Sequence, residues 1–174
     1  MELNFRLQNV DGRWVSPDDY PDAQGFIIIF TCNHCPYSIG SEGRLIALHE
    51  RYAPLGYPVV AISSNDPEQY PQDSFEQMQV RARERGFPFA YLFDGTQEVA
   101  HAYGAERTPH AFLLHKGALG LEVLYRGAID NHPKDASQVT ESYLSRVLDS
   151  WLSEGWVTLS ETPAIGCTIK WKKS

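Results

Sequence analysis

Residues 2–7, Glu-Leu-Asn-Phe-Arg-Leu, alternate polar and apolar, the period of a half-buried strand. Asp11-Gly12 reads as a turn, with Trp14-Val15 returning as the second arm of a hairpin. Phe26–Phe30 is an unbroken aromatic and β-branched run after Gly25, the pattern of a strand buried on both faces. Beyond Pro36, the residues Leu45, Leu48, His49 and Tyr52 recur at helical spacing until Pro54 and Gly56 stop them. Val59–Ser63 predicts the next buried strand. Asp73, with Glu76 three residues on, has the form of an N-terminal cap for a helix reaching about Gly86. Phe89–Phe93 predicts a third central strand, and Thr96–Tyr103 a short helix closed by Gly104. Ala111–His115 and Leu121–Arg126, flanking Lys116–Gly120, predict a hairpin. The clearest stripe is Leu144, Val147, Leu148 and Trp151, on a helix that Gly155 ends. Strands alternating with helices predict an α/β fold with a mostly parallel sheet, to which the late hairpin adds an antiparallel edge.

No repeat, low-complexity tract or Gly/Ser linker divides the 174 residues, a length that suits one domain with a core of its own. That domain is expected over 1–155, followed by a tail over 156–174. The tail is not that of a solvated terminus, because Ala164-Ile165-Gly166-Cys167-Thr168-Ile169-Lys170-Trp171 is too apolar. It is expected to dock on the domain, with Gly166 allowing close backbone approach and Ile165, Ile169 and Trp171 free to bury.

Charge and composition remove whole classes of function. With 15 Lys+Arg against 22 Asp+Glu, the formal net charge of −7 argues against a nucleic-acid partner. Lys170, Lys172 and Lys173 form the one basic cluster, and it reads as a solvated end. Phe26–Phe30 is far too short to span a bilayer, so no membrane partner is expected. Charges at Glu2, Arg6, Asp11, Arg13, Asp18 and Asp19 leave no room for a signal-peptide apolar segment, and the expected compartment is the reducing cytoplasm. There a cysteine pair is more often reactive than structural.

The three cysteines are Cys32, Cys35 and Cys167. Thr31-Cys32-Asn33-His34-Cys35-Pro36 lies where a buried strand gives way to a helix, so unpaired N–H groups and the positive helix end should stabilise a Cys32 thiolate. Such settings bring a cysteine pKa to roughly 3.5–7.5. Cys32 is therefore expected to be the exposed, acidic nucleophile, and Cys35 the thiol that resolves a mixed disulfide formed on it. A protonated His34 would add to the same field. The plainer alternatives are an inert cysteine pair and a bystander histidine. A metal site is a further reading of Cys-Asn-His-Cys. Structural zinc wants four ligands, however, and His101, His110, His115 and Cys167 could join only by tertiary coincidence. No metal and no cofactor are expected. Cys167 is either a third redox thiol or a buried, unreactive cysteine.

Arg107-Thr108-Pro109-His110 precedes the strand at Ala111, and a proline there marks a specialised turn. Cys-x-x-Cys after a buried strand, Tyr-Gly-Ala…Thr-Pro before a later one and a terminal amphipathic helix together resemble the thioredoxin superfamily. That resemblance implies a thioredoxin-like fold: a central mixed sheet flanked by helices, with a cis peptide before Pro109. It also implies that the backbone at Thr108 and Pro109 binds the substrate chain beside Cys32 and Cys35. Between Cys35 and Pro109 there is one strand–helix unit more than in the compact thioredoxin. This insertion resembles the peroxiredoxin-related branch, the alkyl hydroperoxide reductase/thiol-specific antioxidant family. Asp94-Gly95-Thr96 through Tyr103-Gly104 and Tyr125-Arg126-Gly127-Ala128-Ile129-Asp130 are similar to that branch as well. The Cys-Asn-His-Cys-Pro-Tyr segment with the Gly-Cys-Thr-Ile-Lys-Trp ending resembles a smaller bacterial group of thioredoxin-like proteins.

Three departures stand out. The peroxidatic Pro-x-x-x-Thr-x-x-Cys is absent, since counting back gives Ile29 and Gly25 from Cys32, and Cys32 and Ile28 from Cys35. Thr31 replaces the active-site tryptophan of thioredoxin, and Phe26 stands where its buried acid would fall. The implied activity is a thiol–disulfide oxidoreductase, acting on a protein or small-molecule disulfide and recharged by a thiol reductant. The alternatives are a thiol peroxidase of antioxidant function, or a metal- or partner-binding module.

Overall fold

The computed structural model describes residues 2–173. Three strands form the centre of the molecule: β3 (Gly25–Thr31), β4 (Val59–Ser63) and β5 (Ala90–Phe93), following the N-terminal β1 (Leu7–Asn9) and β2 (Trp14–Val15). After them come β6 (Arg107–Thr108), β7 (His110–Gly117), β8 (Gly120–Gly127) and β9 (Cys167–Thr168). The helices are α1 (Pro36–Tyr52), α2 (Phe75–Arg85), α3 (Glu98–Tyr103) and α4 (Tyr143–Glu154). A seven-stranded sheet runs in the order β2-β1-β5-β4-β3-β7-β8, while β6 and β9 pair apart from it.

The run at Phe26–Phe30 is apolar on both faces because both faces are covered. Ile27 and Ile29 point with Val59, Ala61 and Tyr91 into a core closed by Leu45 and Leu48 of α1, Met78 of α2 and Leu144 and Leu148 of α4. Phe26, Ile28 and Phe30 point with Val60, Ile62 and Leu92 to the opposite face, closed by Ala100 and Tyr103 of α3 and by Leu3 and Phe5. Full burial of one such side chain stabilises by about 1.5–3 kcal/mol, so the central strands set the fold.

The expectation of a mostly parallel sheet needs correction. Within the seven-stranded sheet, among the described residues, only β3–β4 and β4–β5 pair in parallel; β1–β2, β1–β5, β3–β7 and β7–β8 are antiparallel. The cause is the connection after α3. It carries the chain past β4 to the far side of β3, where β7 lies antiparallel and registers Phe30 on His110. Residues 2–6 are not a strand, although Leu3 and Phe5 are buried, and the N-terminal ladder begins at Leu7. The short third helix starts at Glu98 rather than Thr96. Asp73 does not cap α2: Ser74 holds the N-cap position, and its hydroxyl accepts from the Gln77 N–H at 3.2 Å. Asp73 is released for another task.

The tail lies against the body. Thr108 faces Cys167 and Arg107 faces Thr168 in an antiparallel pair, and Ile169 is buried. Trp171 stays partly exposed, stacked on His101 with ring centroids 4.3 Å apart.

Candidate active site

β3 ends at Thr31, and the next four residues cross to α1, where Pro36 takes the first helical position with its φ already set for a helix. The N-cap is therefore Cys35, not Cys32. This displacement corrects the expected electrostatics, because the helix end favours charge within about one turn and Cys35 stands nearest to it. Cys32 is buried, 2% exposed, rather than the exposed thiol expected. Its pKa is pushed up, first by burial and then by the Asp73 carboxylate. The Thr108 hydroxyl and the backbone N–H groups of Cys35 and His34 oppose that rise without cancelling it.

Asp73 is the residue that sequence reasoning misplaced. It lies in a single 3-10 turn, Pro71–Asp73, between β4 and α2, and is fully buried beneath the motif loop. Its carboxylate accepts from the Asn33 N–H at 2.8 Å and from Asn65 Nδ2 at 2.9 Å, and it meets His34 Nδ1 at 2.5 Å. The His34 ring stacks flat on Tyr70, centroids 5.2 Å apart and planes 3° apart. Asn33 fastens the loop further, donating to Gln72 O at 2.9 Å and accepting from the Tyr91 hydroxyl at 2.8 Å. Tyr91 is held protonated by burial and by the neighbouring Cys32 and Asp73, so it serves as a donor. One heteroatom each from Cys32, His34 and Asp73 lies within 4.8 Å of the others. A buried carboxylate and an imidazole beside a buried thiol form a place for a proton to go. The signal in the sequence was weak, an acid before a helix, and its commoner meaning is a cap.

The other side of the sulfurs is built by Thr108 and Pro109. The bond between them is cis, and Thr108 is buried. Cys32 Sγ is 3.6 Å from the Thr108 hydroxyl and 3.8 Å from the Ser38 hydroxyl, and Cys35 Sγ is 3.5 Å from the Thr108 carbonyl oxygen. Cys32, Cys35, Thr108, Asp73 and His34 thus gather at one end of β3. Cys167 joins them, for Cys35 is disulfide-bonded to Cys167, with Cα atoms 6.4 Å apart, and Cys32 is the free thiol. The histidines weighed as further metal ligands do not converge here: His101 packs on Trp171, His110 on Phe112 and His115 on Trp151.

A thiol, a disulfide and a cis-proline edge at the end of a central strand, inside a helix-flanked mixed sheet, define a thioredoxin-like protein. The chain belongs to the AhpC/TSA family, whose model matches residues 3–121. Among solved structures it is similar to an uncharacterized conserved protein from Geobacillus kaustophilus, with 43% identity and a TM-score of 0.88 over 98% of this chain and 90% of that one. It is also similar to a hypothetical protein from Sinorhizobium meliloti 1021, with 31% identity and a TM-score of 0.89 over 98% and 92%. The peroxidoxin BcpB from Mycobacterium tuberculosis shares the fold at 18% identity, TM-score 0.57, over 71% of this chain and 79% of that one. A comparison with curated proteins finds no match. Among the described residues, no helix is long and apolar enough to cross a membrane.

Proposed function

We propose that the protein is a thiol–disulfide oxidoreductase whose redox centre is Cys32 and Cys35. The observation that carries this reading is the packing of both sulfurs around Thr108, next to a cis-proline and beside the His34–Asp73 pair. Because burial and Asp73 hold Cys32 as a thiol, attack needs a local proton acceptor, and the imidazole–carboxylate pair supplies one. Cys32 passes its proton to that pair, and its thiolate attacks one sulfur of a substrate disulfide, expelling the other as a thiolate that takes up a proton. The Cys35 thiol then attacks the Cys32 sulfur of the mixed disulfide. This forms Cys32–Cys35 and releases the second substrate thiol. One substrate disulfide is reduced to two thiols while one protein dithiol is oxidised, and an external thiol reductant restores the dithiol. A cytoplasmic location belongs to the same proposal, since a reducing compartment keeps the centre charged.

Family membership favours one other reading, a thiol peroxidase, although the Pro-x-x-x-Thr-x-x-Cys arrangement that positions peroxide is missing here. The test is turnover. Catalytic amounts of protein, a dithiol donor and either a small aromatic disulfide or hydrogen peroxide are mixed, and substrate loss is followed. Multiple turnovers with the disulfide, abolished by Cys32→Ser and by Cys35→Ser, are expected. Turnover with peroxide alone would replace this reading by the second.

A further inference from the structure

Both sulfurs of the motif are out of reach in the conformation described, Cys32 at 2% exposure and Cys35 at 0%. What occupies the substrate edge is the protein's own tail. Gly166 approaches the edge so closely that a Cβ there would collide with the Thr108 carbonyl oxygen, and Cys167 sits opposite Thr108.

The tail is held in three stretches of unequal strength. Upstream, the Thr162 N–H donates to Arg126 O at 3.1 Å, and its hydroxyl accepts from the Ala128 N–H at 3.0 Å. Downstream, the Ile169 N–H donates to Glu106 O at 3.0 Å and the Lys170 N–H to Asn65 Oδ1 at 2.9 Å, while the Lys172 N–H donates to Gln97 Oε1 at 3.0 Å. Residues 163–168, between these anchors, hydrogen-bond outside the tail only to Arg107 and Thr108, among the described residues. The Cys35–Cys167 bond is their one covalent tie. They form an arch over the edge, pinned at its middle.

We propose that this arch is an internal occupant of the site, released by disulfide exchange, and that the edge it vacates takes an extended protein segment with a cysteine preceded by glycine. The inference rests on the oxidoreductase reading for its chemistry. Cys32 gives its proton to the His34–Asp73 pair, and its thiolate attacks Cys35 Sγ. The Cys35–Cys167 bond breaks, and its electron pair leaves on Cys167 Sγ, which takes up a proton. One disulfide is consumed and one is formed, so the step needs no oxidant or reductant. The closed isomer carries Cys35–Cys167 and a covered edge; the open isomer carries Cys32–Cys35 and a free one. The arch also displays what the edge accepts: an antiparallel strand, cysteine opposite Thr108, and no side chain on the residue before it.

The test uses the oxidised full chain and a synthetic peptide copying residues 163–169 with serine in place of its cysteine. Non-reducing peptide mapping after acid quench should find both linkages in the wild type, with the Cys32–Cys35 fraction rising as peptide is added. Cys32→Ser cannot exchange and stays closed, whereas Cys167→Ser cannot close. The peptide should therefore bind Cys167→Ser at least about ten-fold more tightly than Cys32→Ser, the factor by which a mostly closed population masks a site. A second peptide with alanine for the glycine should lose that binding. A wild-type map fixed at Cys35–Cys167 with and without peptide, or equal affinity for the two variants, overturns the proposal. Disulfide turnover in a protein that shows no exchange removes the latch and spares the reductase. Exchange without turnover does the reverse.

Discussion

Asp73→Asn separates the structural role of the buried carboxylate from its electrostatic one. Asp73 accepts from two N–H groups at 2.8 and 2.9 Å and meets His34 at 2.5 Å, with none of its own surface exposed. Asparagine keeps one acceptor oxygen and turns an amide N–H₂ toward donors, so at least one partner loses its bond. A hydrogen bond to a charged group is worth about 1.5–3 kcal/mol. The Asn33 and Asn65 donors are buried with it, which places the loss at the upper end, about 3 kcal/mol. For a domain of this size that corresponds to a fall in Tm of roughly 6–12 °C, at about 2–4 °C per kcal/mol. The second effect has the opposite character. Asp73 is one of the two causes that raise the Cys32 pKa, the larger being burial. Removing the charge therefore makes Cys32 more acidic while the fold becomes weaker. Ultraviolet thiolate absorbance, titrated in a Cys35→Ser/Cys167→Ser background, reads the first quantity, and thermal unfolding of the same protein reads the second. A Cys32 pKa that rises or stays put, or an unchanged Tm, would refute the reasoning.

His110 gives a pH dependence: its pKa is lowered to about 4 by burial, with Arg126 and Arg107 adding to the effect. The unfolded chain gains a proton below its ordinary value of 6.5 and the folded chain does not, so this stability is complete above that pH and drains as pH falls toward about 4. The loss should reach roughly 3 kcal/mol at 1.36 kcal/mol per pKa unit, seen as a shrinking gap in urea stability between wild type and His110→Gln. Ser74→Ala should cost about 1 kcal/mol in the same assay, as loss of an N-cap does, and no change would return the cap to Asp73. Gly166→Ala should lower the proportion of Cys35–Cys167 linkage in oxidised protein, because its Cβ strikes the Thr108 carbonyl; an undiminished linkage would show that the close approach is dispensable.

What could be read from the chain was whatever local sequence controls. Val59–Ser63 is a strand over the span its apolar run predicts, and α4 ends at the glycine that closes its stripe. Gly86 and Gly104 terminate α2 and α3 in left-handed conformations that favour glycine. The cis bond at Thr108-Pro109 followed from the resemblance, not from any periodicity. What escaped was set by contacts distant in sequence. The pairing of β7 against β3 depends on how the chain returns after α3, which no hydrophobic period encodes. The partner of Cys35 is 132 residues away, and sequence spacing favoured the neighbour at Cys32 instead. Asp73 reaches Asn33 of the motif loop across a sequence separation of 40 through a turn whose sequence advertises only a helix start. The thiol's acidity was misjudged for the same reason: helix position is visible in sequence, whereas burial and a remote carboxylate are not.

The central claim, that Cys32 and Cys35 form the redox centre with Cys32 attacking, is met most directly by trapping the intermediate. Reduced Cys35→Ser protein is mixed with a stoichiometric small disulfide, acid-quenched, and mapped without reduction by mass. With the resolving thiol gone, the account predicts a stable substrate adduct on Cys32, which wild-type protein converts to Cys32–Cys35. An adduct confined to Cys167, or none on Cys32 while wild type still turns over, would contradict it.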